Sequence, residues 1–329
     1  MIERQLWHPV ATANTLRDTP LCVNLLDQPL VLWRDHATVQ AWADRCPHRG
    51  ARLSLGRVLT SVQGARLECP YHGWQFDTEG RCRLVPAAPD FQPPAGHAVH
   101  AFEAQERYGL IWVRLAQGVD APPLPAFPEA ENSDWRRVVC GPYSVATSAP
   151  RLVENFLDLS HFGFVHEGWL GERGHAQVQT GEVQESPEGL RVSHARAWQP
   201  RAYAEASDGV WVDYAYEVPH PYAALLRKDA SQDDPVRNAI ALFIRPDSDG
   251  ACTAWFVIAT QNDKSSDEAL VEFQDTVFAQ DRPVVESQSP KPLPIGRNGL
   301  VAEVHGPADR VSSAYRRYLK RLGVILGTT

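Results

Sequence analysis

Two short segments constrain this chain more than any other. They are Cys46-Pro47-His48-Arg49-Gly50 and Cys69-Pro70-Tyr71-His72-Gly73-Trp74. Each sets one thiol and one imidazole beside Pro and Gly, residues that favour turns. Two thiols and two imidazoles can hold structural zinc, but zinc sites usually pair Cys with Cys and His with His at close spacing. Here each segment mixes its ligands, C-x-H in the first and C-x2-H in the second. A [2Fe–2S] centre of the Rieske type needs that mixture: two thiolates hold one iron and two imidazoles the other. The mixed order therefore favours the cluster over zinc. Gly50 and Gly73 are expected to let backbone N–H groups approach the cluster sulfurs.

The rest of the first third supports a β scaffold. From about Trp7 to Leu115 short apolar runs such as Leu30-Val31-Leu32-Trp33 and Leu110-Ile111-Trp112-Val113 alternate with turn residues. Cys82 reads as a small buried residue. Prolines 122, 123 and 125 mark an extended connector. Beyond it, 189–192, 210–214, 239–244 and 253–258 read as strands separated by Gly, Asp, Pro and Ser clusters, which favours antiparallel pairing. The polar segment Lys228–Arg237 reads as a surface loop. The expected fold is α+β. An antiparallel β domain spans 1–117, a Pro-rich linker 118–134, and a second domain 135–329, with an antiparallel sheet flanked by helices and a C-terminal helix. A formal net charge of −8 argues against nucleic acid as a partner. The absence of an apolar leader or an 18-residue apolar run argues against secretion and membrane spanning. The six scattered cysteines then read as thiols or metal ligands in a cytoplasmic chain.

A second metal site is legible in Glu154-Asn155-Phe156-Leu157-Asp158-Leu159-Ser160-His161-Phe162-Gly163-Phe164-Val165-His166. Ser148 and Pro150 suit a helix start. Asp158 and His161, three apart, are expected on one helix face, with Gly163 ending the helix and His166 on its exit. Two imidazoles and one distant carboxylate make the face used by non-heme Fe(II) oxygenases. The alternative is a pair of core histidines beside a capped helix end. Downstream, Ser265 and Glu268 are spaced as a capping box for a helix. On it, Asp281 has Val277, Phe278, Val284 and Val285 as its i±3 and i±4 neighbours. A bare carboxylate on that face is costly to bury, and a cation removes the cost. Asp281 is thus the expected third ligand, with Asp275 as the rival and an Arg pairing as the alternative. Pro283 is expected to kink the helix. The segment from Asp309 to Leu322 reads as a basic amphipathic helix ending at Gly323, its charges either solvated or a docking face for an acidic redox partner.

Nearly the whole chain resembles the oxygenase component of Rieske non-heme iron oxygenases. By local sequence it is most similar to short members such as bacterial methylxanthine N-demethylases and cyanobacterial hydroxylases of saxitoxin biosynthesis. The shared stretches include Glu106-Arg107-Tyr108-Gly109-Leu110-Ile111-Trp112 and His166-Glu167-Gly168-Trp169-Leu170-Gly171. One departure is the 20 residues between His48 and Cys69, a few more than usual, with the surplus around Leu59–Gly64. The resemblance implies that Cys46, His48, Cys69 and His72 hold the cluster. The family pattern Asp-x2-His-x4-His and its distant Asp fall on Asp158, His161, His166 and Asp281. Asn155 stands where many members carry an Asn near the iron. It further implies a homotrimer in which Asp158 bridges a cluster imidazole of one subunit and an iron ligand of its neighbour. Electrons would come from NAD(P)H through a separate reductase or ferredoxin, and O2 would be used to hydroxylate or demethylate a small heterocyclic or aromatic substrate. Phe162, Phe164, Trp169 and residues 210–258 would wall the pocket. Two other functions compete. One is ring cis-dihydroxylation, against which the modest length argues. The other is a Rieske electron carrier, which leaves the second ligand set without a purpose.

Overall fold

Strand β3 (Gln28–Asp35) shows how the N-terminal part is built. Its central residues Leu30, Val31, Leu32 and Trp33 are all buried. Successive strand residues face opposite sides, so Leu30 and Leu32 join a cluster with Ile111 and Val113. Val31 and Trp33 join another with Trp42, Leu53, Phe76 and the two motif cysteines. Trp33 packs edge-on against Trp42 at 4.9 Å. The floor beneath both thiols is therefore set by the odd-numbered residues of one strand.

The computed structural model describes residues 1–61, 64–118, 120–200, 209–229, 236–296 and 303–329. The unit Arg4–Pro122 adds β1 (His8–Thr12), β2 (Leu21–Leu25), β4 (Thr38–Ala43), β5 (Arg57–Leu59), β6 (Arg66–Glu68), β7 (Gln75–Phe76), β8 (Cys82–Leu84), β9 (Ala101–Arg107) and β10 (Leu110–Arg114). They form a six-stranded sheet, order β1-β10-β9-β4-β3-β2, and a four-stranded sheet, order β5-β6-β7-β8, with antiparallel pairing throughout. Cys82 is buried, as expected. Val62 and Gln63, in the surplus between the two motifs, lie outside the described residues.

The other unit, Met1–Glu3 with Pro123–Thr329, is organised by a seven-stranded antiparallel sheet. Its strands are β11 (Arg136–Val145), β12 (Gln179–Ser186), β13 (Gly189–Gln199), β14 (Val210–His220), β15 (Ala223–Asp229), β16 (Arg237–Ser248) and β17 (Ala251–Gln261), in order β11-β17-β16-β15-β14-β13-β12. The four expected strand segments all fall within it. Of the segment expected as a loop, Lys228–Arg237, both ends sit in strands, and 230–235 lie outside the described residues.

Four helices accompany this sheet among the described residues. Helix α1 (Ala149–Leu157) starts as expected, with the Ser148 hydroxyl accepting from Arg151 N–H and Pro150 in the first turn. It ends sooner. Asp158 is its C-cap in extended conformation (φ −92°, ψ 127°), and Gly163 lies inside a separate short helix, α2 (Phe162–Val165). Asp158 and His161 therefore do not share a helix face. Helix α3 (Asp267–Ser287) is capped by Ser266, whose hydroxyl accepts from Ala269 N–H, and not by Ser265. It runs on through Pro283. Helix α4 (Arg310–Leu322) ends at left-handed Gly323, as expected. α1 packs on β15, β16 and β17, α3 on β11, and α4 on β12 and β13. No helix among the described residues is long and apolar enough to cross a membrane.

Among the basic residues of α4, Arg310, Arg317, Lys320 and Arg321 are exposed, in keeping with a solvated face, and Arg316 is the exception. Arg316 is largely buried and clamps Glu154 at 2.6 and 2.8 Å and Glu303 at 2.7 Å. Arg317 and Arg321 pair with Glu185. Arg151, also buried, meets Glu303 at 2.6 Å. Burial works to raise Glu303, but Arg151 and Arg316 outweigh it and hold the carboxyl below its usual range. A depressed carboxyl contributes stability that is present above the unfolded value and lost as pH falls through the folded one. Removing one partner of such a buried network leaves uncompensated charge. Arg316→Ala is expected to cost about 3 kcal/mol in urea unfolding at neutral pH. The difference should shrink on acidification, and a loss below about 1 kcal/mol would contradict the network's role.

Candidate metal centres

In the N-terminal unit the two motif loops are built alike. Gly50 N–H donates to Cys46 C=O at 2.9 Å, and Gly73 N–H to Cys69 C=O at 3.1 Å. Both glycines have positive φ, +73° and +71°, which a side chain would strain. A Cβ on Gly73 would also come within 3.1 Å of Pro86 Cγ. The glycine N–H groups thus close the turns and do not face sulfur. The N–H groups aimed at the Cys46 sulfur are those of His48 and Arg49. The Asp44 carboxylate accepts from Ser54 N–H at 2.7 Å and from its hydroxyl at 2.6 Å, which fixes the chain after the first motif.

This geometry sorts the four side chains by type. Cys46 and Cys69 are buried at 1% and 2% exposure, and their thiols are in hydrogen-bond contact. His48 and His72 are exposed, with ring centroids 4.6 Å apart. Trp74 stacks on His48 at 4.5 Å with 5° between planes. Burial, with the neighbouring Cys69 thiol, pushes the Cys46 thiol up to about 11. Two adjacent thiolates in an apolar core need cations beside them. Sulfur donors inside and nitrogen donors outside fit a centre with one iron on thiolates and the other on imidazoles.

In the C-terminal unit three donor atoms converge. His161 Nε2 and His166 Nε2 lie 3.2 Å apart, and Asp281 Oδ1 is 3.4 and 3.2 Å from them. A triangle of that size has its centre about 1.9 Å from each corner, so a cation slightly above its plane has ordinary ligand distances of about 2.0–2.2 Å. His166 and Asp281 are buried, and the His161 side chain is 15% exposed. The segment after α1 delivers both imidazoles, and α3 delivers the carboxylate. The rival Asp275 instead takes a hydrogen bond from Tyr143.

Each imidazole is held from its far side. His161 Nδ1 faces Asp158 Oδ2 at 3.3 Å, and His166 Nδ1 faces Gln280 Oε1 at 2.8 Å. Such partners fix the tautomer with Nε2 free for a metal. Asp158 is pulled two ways: burial raises its carboxyl, but His161 and Ser160 together hold it below its usual value. Asn155 Nδ2 donates to Asp281 Oδ1 at 3.3 Å. Sequence reasoning missed Gln280, whose one signal is that it precedes Asp281 on the helix.

A pocket opens beside this triangle, walled by Phe156, Phe162, Tyr214, Tyr216, Phe256 and Phe273 among others, with Gln274 and Lys228 as polar members. Phe162 is in place as expected. Phe164 is 51% exposed, and Trp169 packs on Phe273 without lining the pocket.

Comparison with known proteins follows the same division. A Rieske [2Fe-2S] domain model matches residues 6–103. A vanillate O-demethylase oxygenase C-terminal domain model matches 145–324. The chain is 36% identical to methylxanthine N1-demethylase NdmA of Pseudomonas putida, over 97% of this chain and 89% of that protein. It is 29% identical to the vanillate O-demethylase oxygenase subunit of a Pseudomonas strain, over 80% and 85%. The solved structure of Pseudomonas putida NdmA with caffeine superposes with a TM-score of 0.83 at 35% identity, covering 96% of this chain and 90% of that one.

The hydrogen bond at His166 Nδ1 has a measurable consequence. Gln280→Leu is expected to weaken Co(II) binding at the triangle by about 10–100-fold, read by the visible absorption of the bound ion. Unchanged affinity would contradict the role given to Gln280.

Proposed function

The chain belongs to the Rieske non-heme iron oxygenases, whose similar members are demethylating monooxygenases, and on that premise we propose that it is the terminal oxygenase of a system that oxidatively demethylates or hydroxylates a small heterocyclic or aromatic substrate. The observation that carries the reading is the open face of His161, His166 and Asp281 on a pocket walled by aromatic rings. N-demethylation of a heterocycle is the foremost form, in keeping with the 36% identity to a methylxanthine N1-demethylase.

In this reading Cys46, Cys69, His48 and His72 hold the [2Fe–2S] cluster, and His161, His166 and Asp281 hold one Fe(II). When bound, the cluster supplies single electrons and the iron supplies O2-dependent oxidation of a nearby C–H bond. The protein's own work is placement. Asn155 and Gln280 orient Asp281 and His166 through the bonds given above. The rings of Phe162, Tyr214 and Phe256 hold a flat substrate and keep water out. Hydroxylation of a bound N- or O-methyl group then leaves a carbinol that breaks down to formaldehyde and the demethylated ring.

The domain division proposed is 1–117 for the cluster, 118–134 for the connector and 135–329 for the iron site. The proposed setting is a cytoplasmic homotrimer served by a separate NAD(P)H-dependent reductase or ferredoxin. Six free cysteines are in keeping with a reducing compartment. Asp158 is proposed to link His161 to His48 or His72 of a neighbouring copy. In support, its side chain is 29% exposed while still holding His161, and both cluster imidazoles are exposed.

Iron-loaded protein with a surrogate reductase is expected to show substrate-dependent O2 uptake with matching formaldehyde release for at least one member of a panel of methylxanthines and methoxybenzoates. It should hold three irons per chain, falling to two in Asp281→Ala. Two irons in the unaltered protein would indicate an electron carrier. Asp158→Asn, whose amide oxygen can still accept from His161 Nδ1, is expected to keep the iron content and to slow single-turnover oxidation of the cluster by about 10–100-fold. An unchanged rate would remove the bridging role.

A further inference from the structure

Residues 85–100, between β8 and β9, form a ledge beside the second cysteine motif. The ledge holds Pro86, Pro89, Pro93 and Pro94, whose fixed φ limits its freedom. Turn bonds order it further. Ala88 N–H donates to Val85 C=O at 2.9 Å, Phe91 N–H to Ala88 C=O at 3.0 Å, and His97 N–H to Pro94 C=O at 2.9 Å. Pro86 seats the ledge against the motif, at the face of Gly73. A line of rings crosses it. The Trp74 ring that stacks on His48 also stacks on His97, at 5.5 Å with 11° between planes. His97 in turn packs on Phe91, with centroids 5.7 Å apart. These are ordinary separations for rings in contact. Phe91 is 44% exposed. A continuous series of ring contacts therefore runs from His48 through Trp74 and His97 to the surface at Phe91.

Holding the plane of His48 needs Trp74 alone. His97 and Phe91 carry the contact outward to solvent, where it can meet another molecule. The charge around this line is mostly positive. The charged groups that bear on His48 are His72, Arg49 and His97, all basic. Arg45, Arg49 and Arg52 are exposed around the first motif, and the Arg45 guanidinium lies over Gly50. The ledge contributes one carboxylate, Asp90. A chain with a formal net charge of −8 thus turns a locally basic surface outward beside its exposed imidazoles. Such a surface attracts an acidic partner and speeds its encounter.

We propose that this ledge is the electron-entry face of the N-terminal unit: an acidic one-electron carrier of the plant-type [2Fe–2S] class docks on Phe91, and its electron reaches the cluster through His97, Trp74 and His48. The proposal rests on the reading of Cys46, His48, Cys69 and His72 as cluster ligands. One electron leaves the carrier's reduced cluster and enters the oxidised Rieske cluster, and no covalent bond forms or breaks. The transfer is downhill, because imidazole ligation gives the Rieske centre the higher potential. Packed rings leave no void for the electron to cross. An exposed aromatic ring with charged residues around it is also the usual make-up of a docking contact, the ring giving affinity and the charges steering. Phe91, His97 and Trp74 are positioning residues, and none of them lines the substrate pocket.

The test mixes a reduced, acidic plant-type [2Fe–2S] ferredoxin anaerobically with the cluster-loaded protein and follows the reduced Rieske signal by freeze-quench EPR. Phe91→Ala and His97→Ala are each expected to slow reduction by at least about tenfold. His97→Phe restores a ring and should keep the rate within about threefold. Tyr71→Ala, at the exposed ring beside His72, should leave it unchanged. In all these variants the rate with dithionite, the midpoint potential and the EPR line shape should stay those of the unaltered protein, since a small reductant reaches the exposed imidazoles directly. Reduction of the unaltered protein by the ferredoxin should also slow as salt is raised. Unchanged ferredoxin rates in Phe91→Ala and His97→Ala, equal slowing with dithionite, or a ferredoxin that fails to reduce the unaltered protein overturns the proposal. So does slowing of single-turnover cluster oxidation in place of reduction, which would set the ledge against a neighbouring copy. A protein with no Rieske signal after dithionite would remove the cluster reading, and the proposal with it.

Discussion

A carboxylate that is buried and turned toward two imidazole nitrogens organises the C-terminal unit. Asp281 is 8% exposed and faces His161 and His166 at 3.4 and 3.2 Å. Such an arrangement is costly in an apolar wall unless a cation joins it. The surrounding structure keeps the three donors from relaxing apart. Helix α3 fixes the carboxylate, the chain leaving α1 fixes the imidazoles, Asp158 and Gln280 hold the imidazoles from behind, and Asn155 donates to the Asp281 oxygen that faces them. The pocket follows from the same placement, because the apolar residues that bury α1 and α3 against the sheet also form its walls.

The N-terminal unit solves a related problem by segregation. Strand β3 divides two cores, and the core on its Val31–Trp33 side receives both thiols. Matching glycine-closed turns carry the two imidazoles outward to the surface. Sulfur kept dry and nitrogen kept accessible suit a centre that must be shielded on one side and exchange electrons on the other. His48 gains a further constraint from the parallel Trp74 ring at 4.5 Å. Local chain chemistry thus makes a donor set of fixed order in each unit.

Much of this was legible in the sequence because the signals are local. The order of Cys and His in the paired motifs needs no tertiary information. Asp281 stood out because its helical neighbours at i±3 and i±4 are apolar, and periodicity alone shows that. The structure departs from the sequence pattern where tertiary context decides. Asp158 ends helix α1 because its carboxylate is engaged by Ser160 N–H and His161 outside the helix, so i,i+3 spacing misplaced it. Two adjacent serines could each cap α3, and Ser266 does. Arg316 looked solvated by pattern but lies against Glu154 and Glu303, which are distant in sequence. Gln280, like Asn155, carries no motif at all. Their roles come from which side chains the fold brings opposite them.

In the proposed reading each polypeptide holds two iron stations with different ligand chemistry. Anomalous diffraction at the iron edge from crystals of anaerobically reconstituted protein tests it most directly. The account predicts a two-iron peak between the Cys46–Cys69 and His48–His72 pairs and a separate single-iron peak within bonding distance of His161 Nε2, His166 Nε2 and Asp281 Oδ1. A single zinc ion at the first site, or no metal at the second, would contradict it.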